Sequence, residues 1–496
     1  MGRYIIGIDQ STQGTKALLV DEEGRLVHRA DRSHEQKVNE DGWVSHDPAE
    51  IAKNVLAVAR AVVEEQGIDP AEVAGIGISN QRETTVAWDA RTGEPICDAI
   101  VWQCARAQEV CDRIAQREGA ADIICERTGL ALSPYYPAAK MTWILENVPA
   151  ARELAREGAL HLGTIDAWVV WTLTHGAEFR CDYSNASRTQ LFDIEKLKWS
   201  TRCCRLFGID PAWLPEVTDS DACFGMTDLD GFLPAPVPIH GVMGDSHAAL
   251  FGQGCYASGQ AKATMGTGSS VMMNVGCELT RSTAGLSSSL GWRRHGETVY
   301  VLEGNINYAG AVKTWLRDDM EMIEGPAETT DLCFAANPAS RVYLVPAFTG
   351  LGAPHWHAET RGAVFGMTRT TGHAEFVRAT VESIAFQIFD VVDAMQRDSG
   401  VSLAELRVDG GPTRDAYLMQ FVADMLRVPI VAAGNDEMSG LGAAWCAGIA
   451  LGLYPEDVAH SVAPRASWDA KMHENDRTAR IKGWRRAVKA AIAFAG

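Results

Sequence analysis

Short apolar runs recur along the whole chain, each ending in a polar or glycine-rich turn. Residues 4–9 are apolar up to Asp9, and the turn after them is rich in Ser, Thr, Gln and Gly. A second apolar run leaves that turn and stops at Glu22-Glu23-Gly24. This alternation predicts a hairpin or meander over residues 4–20. The same succession returns later. An apolar run at 237–242 leads to Asp245, and a further strand leads to the small-residue turn Gly266-Thr267-Gly268. Two such units in one chain predict two related domains facing each other across a cleft.

Between the strand-like runs the period changes to that of helices. Residues 48–66 carry apolar positions at helical spacing, and Asp47-Pro48 is a start signal. Helices are also predicted over 105–118, 119–127, 307–317, 373–396 and 415–426, and one starts after Pro134 and Pro137 and carries Lys140, Trp143 and Leu145. Strands are predicted over 73–78, 85–88, 299–304, 342–347 and 406–409, and the segment 99–106 is read as the end of another, closing on Trp102 and a polar residue. Residues 182–194 read as polar loop with a short strand. Strands alternating with helices define an α/β fold. A proline-rich stretch at 232–238 marks a linker, and the boundary is placed so that 1–253 and 254–496 form the two domains.

Composition narrows the class. Of 496 residues, 46% are apolar and 22% charged, the balance of a globular chain. The formal charge of −19 argues against nucleic acid or an anionic membrane as partner. No apolar run is long enough to span a membrane, and the first residues lack a leader's pattern. Twelve cysteines occur without C-x-x-C spacing, which fits reduced thiols and a cytoplasmic location.

The chemistry concentrates at strand exits. Asp245 follows an apolar strand, where a carboxylate can meet a substrate hydroxyl. The Gly266-Thr267-Gly268 turn can bring bare backbone N–H groups against phosphate. Together they point to phosphoryl transfer. The same residues also describe a plain strand-turn-strand with a solvated Asp. Asn80-Gln81-Arg82-Glu83 read either as a solvated turn or as a grip on a polyhydroxylated ligand. Gly310 and Gly411 could join the 266–268 turn in flanking a nucleotide. There is no G-x-G-x-x-G after the first strand and no G-x-x-x-x-G-K-[ST], which excludes a dinucleotide-binding dehydrogenase and a P-loop kinase.

The blocks GWVSHDPAEI, GISNQRETT, AIVWQCAR, TGLALSPYY, DYSNASRT, LFGQG, VPAFTGLGAP and LRVDGG, in this order, resemble the FGGY family of carbohydrate kinases. Within it they are most similar to the branch that phosphorylates glycerol. Segments around Lys140-Met141-Thr142-Trp143 and around Gly362 to Gly366 with Glu382-Ser383 look like the two family signatures. The resemblance implies two actin-like domains of the sugar kinase/Hsp70 type around a central cleft. It implies ATP and Mg²⁺ as cofactors and a small polyol or sugar as acceptor, and leaves a homo-oligomer open. By the same resemblance Asp245 is the catalytic base, and Asp9 with Asp245 stands near the metal. Arg82, Glu83, Trp102, Tyr135, Asp245 and Ser246 belong to the acceptor pocket. Thr12, Gln13, Gly266, Thr267, Gly310 and Gly411 belong to the ATP site.

Departures from that branch set further expectations. Gln13 and Lys16 replace Thr and Arg in the first phosphate turn. Thr314 and Asp415 replace a Gln and an Asn on the adenine side. The basic, glycine-rich loop tied to fructose bisphosphate regulation is absent from 228–239. Ser246 and Ser270 stand where a long amide and an aromatic ring wall off glycerol. Their small volume predicts room for one or two more carbons, so a tetritol, pentitol or pentulose is the alternative acceptor. An Hsp70- or actin-like ATP-driven clamp is the alternative of another class.

Overall fold

The computed structural model describes residues 3–496, so the first two positions of the predicted amino-terminal domain lie outside it. Two mixed sheets organise the molecule. The first comprises β1 (Tyr4–Gln10), β2 (Gly14–Val20), β3 (Leu26–Ser33), β4 (Val73–Asn80) and β5 (Val237–Gly244), with a two-residue edge strand at Met226–Thr227. β1 to β3 form an antiparallel meander, with Asp9 opposite Lys16. β4 and β5 extend it in parallel on the β1 side, in the order β5-β4-β1-β2-β3. The second sheet holds β6 (Gln260–Met265), β7 (Ser269–Gly276), β8 (Ser287–Arg294), β9 (Glu297–Ile306), β10 (Glu405–Asp409), β11 (Ile430–Ala432) and β12 (Ala466–Trp468). Its order is β8-β9-β7-β6-β10-β11-β12, with β6 and β7 antiparallel and β6 and β10 parallel. Setting aside the edge strands β8 and β12, the order β11-β10-β6-β7-β9 repeats the first sheet. The duplicated pattern in the sequence is therefore a duplicated topology, that of two actin-like domains.

Local chemistry explains why the elements form where they do. β1 is buried from Ile5 to Gln10, as a central strand covered on both faces requires. Helix α1 (Pro48–Gln66) spans the residues expected. Asp47 accepts from the N–H groups of Ala49 and Glu50, Pro48 fills the first turn, and Gly67 closes the helix at φ 71°. Ile51, Val55, Val58 and Val62 make one buried stripe that faces the first sheet.

Helix α2 (Asp245–Gly252) and helix α3 (Met438–Ala450) join the two halves. Although α3 comes late in the chain, it lies on the first sheet. A Cβ on Gly7 would fall 2.5 Å from the Gly440 carbonyl oxygen, and on Gly77 or Gly241 at 2.3 and 2.4 Å from that of Ala443. Where α2 crosses α3, a Cβ on Gly442 would meet the Ala248 carbonyl oxygen at 1.9 Å. Glycines on both sides are what allow helix and sheet to approach so closely. Trp445 Nε1 then donates to the Gly24 carbonyl (2.8 Å), and the Tyr454 hydroxyl to that of Asp21 (2.7 Å).

Three local expectations need correction. Only Ala99–Ile100 of the stretch 99–106 is strand, because the chain turns at once to present Trp102. Residues 182–194 contain a short helix, Tyr183–Ala186, capped by Asp182 through the N–H groups of Ser184 and Asn185. Asp245 opens a helix and is not the corner of a strand-turn-strand. The helix predicted at 105–118 is shorter, Gln108–Ala115, and that at 119–127 lies one position later, Ala120–Thr128. All twelve cysteines are free, and no helix of the described residues is long and apolar enough to cross a membrane.

The α3 contact yields a direct test. Gly77→Ala forces its methyl against a main-chain carbonyl that has no rotamer to move. Overpacking of this kind costs about 1–3 kcal/mol. We expect a lower unfolding midpoint in calorimetry, whereas Gly67→Ala, which has no neighbour within 4 Å, acts only through its positive φ.

Candidate active site

The carboxyl ends of β1, β4 and β5 open on one crevice, where ligands of α/β sheets bind. Asp9 is the last residue but one of β1, Asn80 ends β4 with Gln81 to Glu83 following it, and Asp245 follows β5. The four residues from Asn80 to Glu83 are all buried, which overturns the reading as a solvated turn. Gly244 lets Arg82 pass beneath Asp245, since a Cβ there would sit 2.7 Å from Arg82 Cγ. Asp245 Oδ1 accepts from the Ser246 N–H at 2.6 Å and lies 3.1 Å from Arg82 Nε.

Arg82 turns its fork away from Asp245. Its Nη1 and Nη2 donate to Glu303 Oε2 and Oε1 at 3.0 and 2.8 Å. Glu303 lies on β9, in the second sheet. Arg188 Nη1 is 3.1 Å from the same carboxylate, and Arg188 Nε donates to Glu83 Oε1 at 2.6 Å. The Ser270 hydroxyl adds a further bond to Glu303 Oε1, at 2.8 Å. Burial alone would raise the Glu303 carboxyl, but Arg82 and then Arg188 hold it well below the usual carboxylate range. Glu83 sits at φ 61°, a costly conformation for a non-glycine residue and one that clusters at functional sites.

Aromatic rings and the first turn adjoin this network. Trp102 and Tyr135 meet edge to face, with centroids 5.5 Å apart. Trp102 Nε1 donates to Thr12 Oγ1 at 2.9 Å, so one ring ties the expected acceptor pocket to the expected phosphate turn. That turn is closed by the Ser11 N–H and hydroxyl, both donating to the Gly14 carbonyl. Gln13 is exposed at its tip, and no side-chain bond joins it to the cluster. Lys16 pairs with Glu437 at 2.7 Å, a link between β2 and the start of α3.

On the second sheet the small residues gather as expected. The Gly266 N–H donates to the Gly268 carbonyl, and the Gly310 N–H to that of Gly266, both at 2.8 Å. Ala309 and Ala311 donate to the Thr267 carbonyl. A Cβ on Gly310 would approach the Gly266 oxygen to 2.5 Å and Pro412 Cγ to 3.3 Å, so these turns interlock. Gly411 faces open space, while its neighbour Gly410, at φ 94°, presses against the Met265 carbonyl. Asp415 does not stand open beside them. It caps the helix Ala416–Leu426 and takes bonds from Lys313, Thr329 and Thr330.

Family models decide what this two-sided cleft belongs to. The model for the FGGY family of carbohydrate kinases, N-terminal domain, matches residues 4–252, and that for the C-terminal domain matches 261–451. The chain belongs to the FGGY family of carbohydrate kinases. Glycerol kinase 1 of Thermotoga maritima is 43% identical over 98% of this chain and 99% of its own. Glycerol kinase of Bacillus velezensis is 43% identical over the full length of both. The crystal structure of Plasmodium falciparum glycerol kinase with ADP superposes with a TM-score of 0.93 at 34% identity, covering 98% of each chain. This FGGY chain is thus an ATP-dependent sugar or polyol kinase, and the reading as a chaperone-like clamp gives way.

The donor set also fits a magnesium ion. Burial first, and then Asp245 and Glu437, push the Asp9 carboxyl up to about 6 against the pull of Lys16 and a 3.0 Å bond from Ser79. A cation beside Asp9 would relieve that cost. Among the described residues no three or more His, Cys, Asp or Glu side chains cluster as a metal site. Asp9 and Asp245 would therefore supply few oxygens, as suits Mg²⁺, which keeps waters and phosphate oxygens.

Several residues of this FGGY kinase escape a reading of the sequence. Glu303 and Arg188 are the central ones. The signal for Glu303 was a lone carboxylate inside the apolar run YVLEG. Arg188 lay in a polar block that gave no sign of burial. Lys262 on β6 is also buried, its Nζ 3.0 Å from Thr264 Oγ1.

Removing the shared carboxylate tests the network. Glu303→Gln leaves Arg82 and Arg188 buried without their common partner. Breaking such a pair costs about 3–5 kcal/mol. We expect a drop of that order in denaturant unfolding, together with a higher acceptor KM.

Proposed function

We infer that this FGGY kinase transfers the γ-phosphoryl group of ATP to a primary hydroxyl of glycerol, giving glycerol 3-phosphate and ADP. The observation that carries the reading is the accessibility of Asp245. Its side chain is 38% exposed, whereas those of Glu83 and Glu303 are 2% and 1% exposed and bound to arginines. Asp245 is thus the carboxylate of this cluster free to meet a substrate. Full-length identity to glycerol kinases supports glycerol as that substrate.

In this mechanism Asp245 accepts the hydroxyl proton as the oxygen bonds to the γ-phosphorus and the bond to the β-phosphate oxygen breaks. Arg82 Nε and the Ser246 amide hold one oxygen of Asp245, which fixes the direction of the other. Trp102 and Tyr135 wall the acceptor, and Arg82 and Glu83 border it. The Thr12 and Gly266-Thr267 turns take the phosphates with backbone N–H groups, and Gly310 and Gly411 let the nucleotide approach. When bound by Asp9 and Asp245, Mg²⁺ supplies neutralisation of phosphate charge.

The serine substitutions do not favour a larger acceptor. Ser270 spends its hydroxyl on Glu303 and thereby braces Arg82. A site organised around such bonds discriminates among hydroxylated substrates.

Two measurements test this reading. Asp245→Asn keeps shape but cannot take the proton, so kcat falls by about 10²–10⁴-fold while ATP and glycerol still bind. Near-full turnover would remove Asp245 from the role of base. In a series of three- to five-carbon acceptors, glycerol gives the highest kcat/KM. A pentulose or tetritol preferred over glycerol would reverse the assignment.

A further inference from the structure

Lys140 is a buried cation that the mechanism above does not use. It lies in the first turns of the helix Pro137–Asn147, with its side chain fully covered. Its Nζ donates to the carbonyl of Trp102 at 3.3 Å and to that of Tyr135. No ion pair within the described residues involves it. Burial pushes its amine down to about 7, opposed chiefly by the charge of Glu83. A lysine placed so costs stability and persists where the surrounding structure needs its donors.

The two carbonyls it holds belong to the two aromatic walls of the acceptor pocket. Those residues come from separate stretches of chain, the turn after Ala99–Ile100 and the loop before Pro137, and no main-chain bond joins Trp102 to Tyr135. Trp102 is held from other sides too: its N–H donates to Thr84 Oγ1 (3.2 Å) and its indole N–H to Thr12. Thr84 Oγ1 in turn donates to Gln81 Oε1 (2.7 Å), in the strand-exit segment that carries Arg82 and Glu83. Apart from the bond to Lys140, Tyr135 is held locally, by its N–H to Ser133 Oγ at 3.2 Å and by its ring edge to face with that of Tyr136, centroids 5.1 Å apart. The ammonium therefore adds, to the direct contact of the two rings, a hydrogen-bonded link between the two main-chain segments that carry them.

We propose that Lys140 is a positioning residue of the acceptor site: by bonding both carbonyls it sets the distance between the Trp102 and Tyr135 rings and ties that pair to the phosphate turn at Thr12. The proposal rests on the reading that these rings line the acceptor pocket. With Trp102 still held by Thr84 and Thr12, the wall that loses its tie is Tyr135, which weakens acceptor binding and leaves the phosphate turn at Thr12 and the nucleotide contacts of the second sheet in place. A general loss of folding acts differently. It lowers the active fraction, and so kcat, at unchanged KM.

The test is steady-state kinetics on the full chain with glycerol and ATP. Lys140→Met keeps the length and removes the donors, and is expected to raise the glycerol KM at least tenfold with the ATP KM within twofold. Lys140→Arg retains donors and charge, and is expected to recover most of the loss. Should Lys140→Met give no folded protein, Lys140→Gln carries the test with the same expectation and a smaller rise. A glycerol KM unchanged in the folded variant, or equal rises in both KM values, overturns the proposal. Absence of glycerol turnover in the unsubstituted protein overturns the acceptor reading and the proposal with it. Glycerol turnover there with no KM split in the variants overturns the proposal alone.

Discussion

One carboxylate holds the proposed acceptor site in register. Glu303 projects from the second sheet and receives the fork of Arg82 and an ion contact from Arg188 Nη1, both from the first half of the chain. Charges buried this deeply are stable only when every partner is present. The arrangement therefore makes the shape of the pocket depend on how the two halves meet. Arg82 can steady Asp245 through Nε because Glu303 occupies its other nitrogens. Arg188 can hold Glu83 in a strained backbone conformation because the same carboxylate offsets its charge.

A second constraint keeps the halves close enough for that network to close. α3 crosses the first sheet and α2 at glycines, where main chain meets main chain without intervening side chains. Lys16 and Arg29 both reach Glu437 at the start of α3, adding charge-assisted bonds at the mouth of the crevice. The small-residue seam, the Glu437 link and the Glu303 network lie along one boundary. Motion of one half against the other would act on the seam first and on the catalytic geometry through it.

The proposed phosphate side is built differently, mainly from backbone turns. The turns at Ser11 to Gly14 and Gly266 to Gly268 sit at equivalent places in the two duplicated sheets, between the first two strands of each. Duplication thus provides two matching backbone turns across one crevice, and a side chain that makes no bond there can change without disturbing them. Gln13 in place of threonine is an instance, exposed and unbound. The acceptor side tolerates less variation, because its parts are charged, buried and mutually paired.

The sequence by itself determined what depends on neighbours in the chain. Period and caps placed α1 to the residue. The repeated strand-Asp-turn pattern announced two similar sheets, and ordered blocks of residues named the family and brought Asp9, Arg82, Glu83, Trp102, Tyr135 and Asp245 forward. Each of these lies at a strand exit or loop, where polar residues interrupt an apolar run and become visible. Tertiary structure alone decided the rest. No local pattern says that a helix at 438–450 covers a sheet begun at residue 4, since only the fit of Gly440 to Gly7 and of Ala443 to Gly77 requires it. Nor does any local pattern show that Ser270, read as lost bulk, is a hydrogen-bond donor to Glu303, or that Lys140 joins two carbonyls 33 positions apart in the chain. Such roles belong to pairs of distant residues. A linear pattern records the chemistry of each member, and only the folded chain records which partner each one meets.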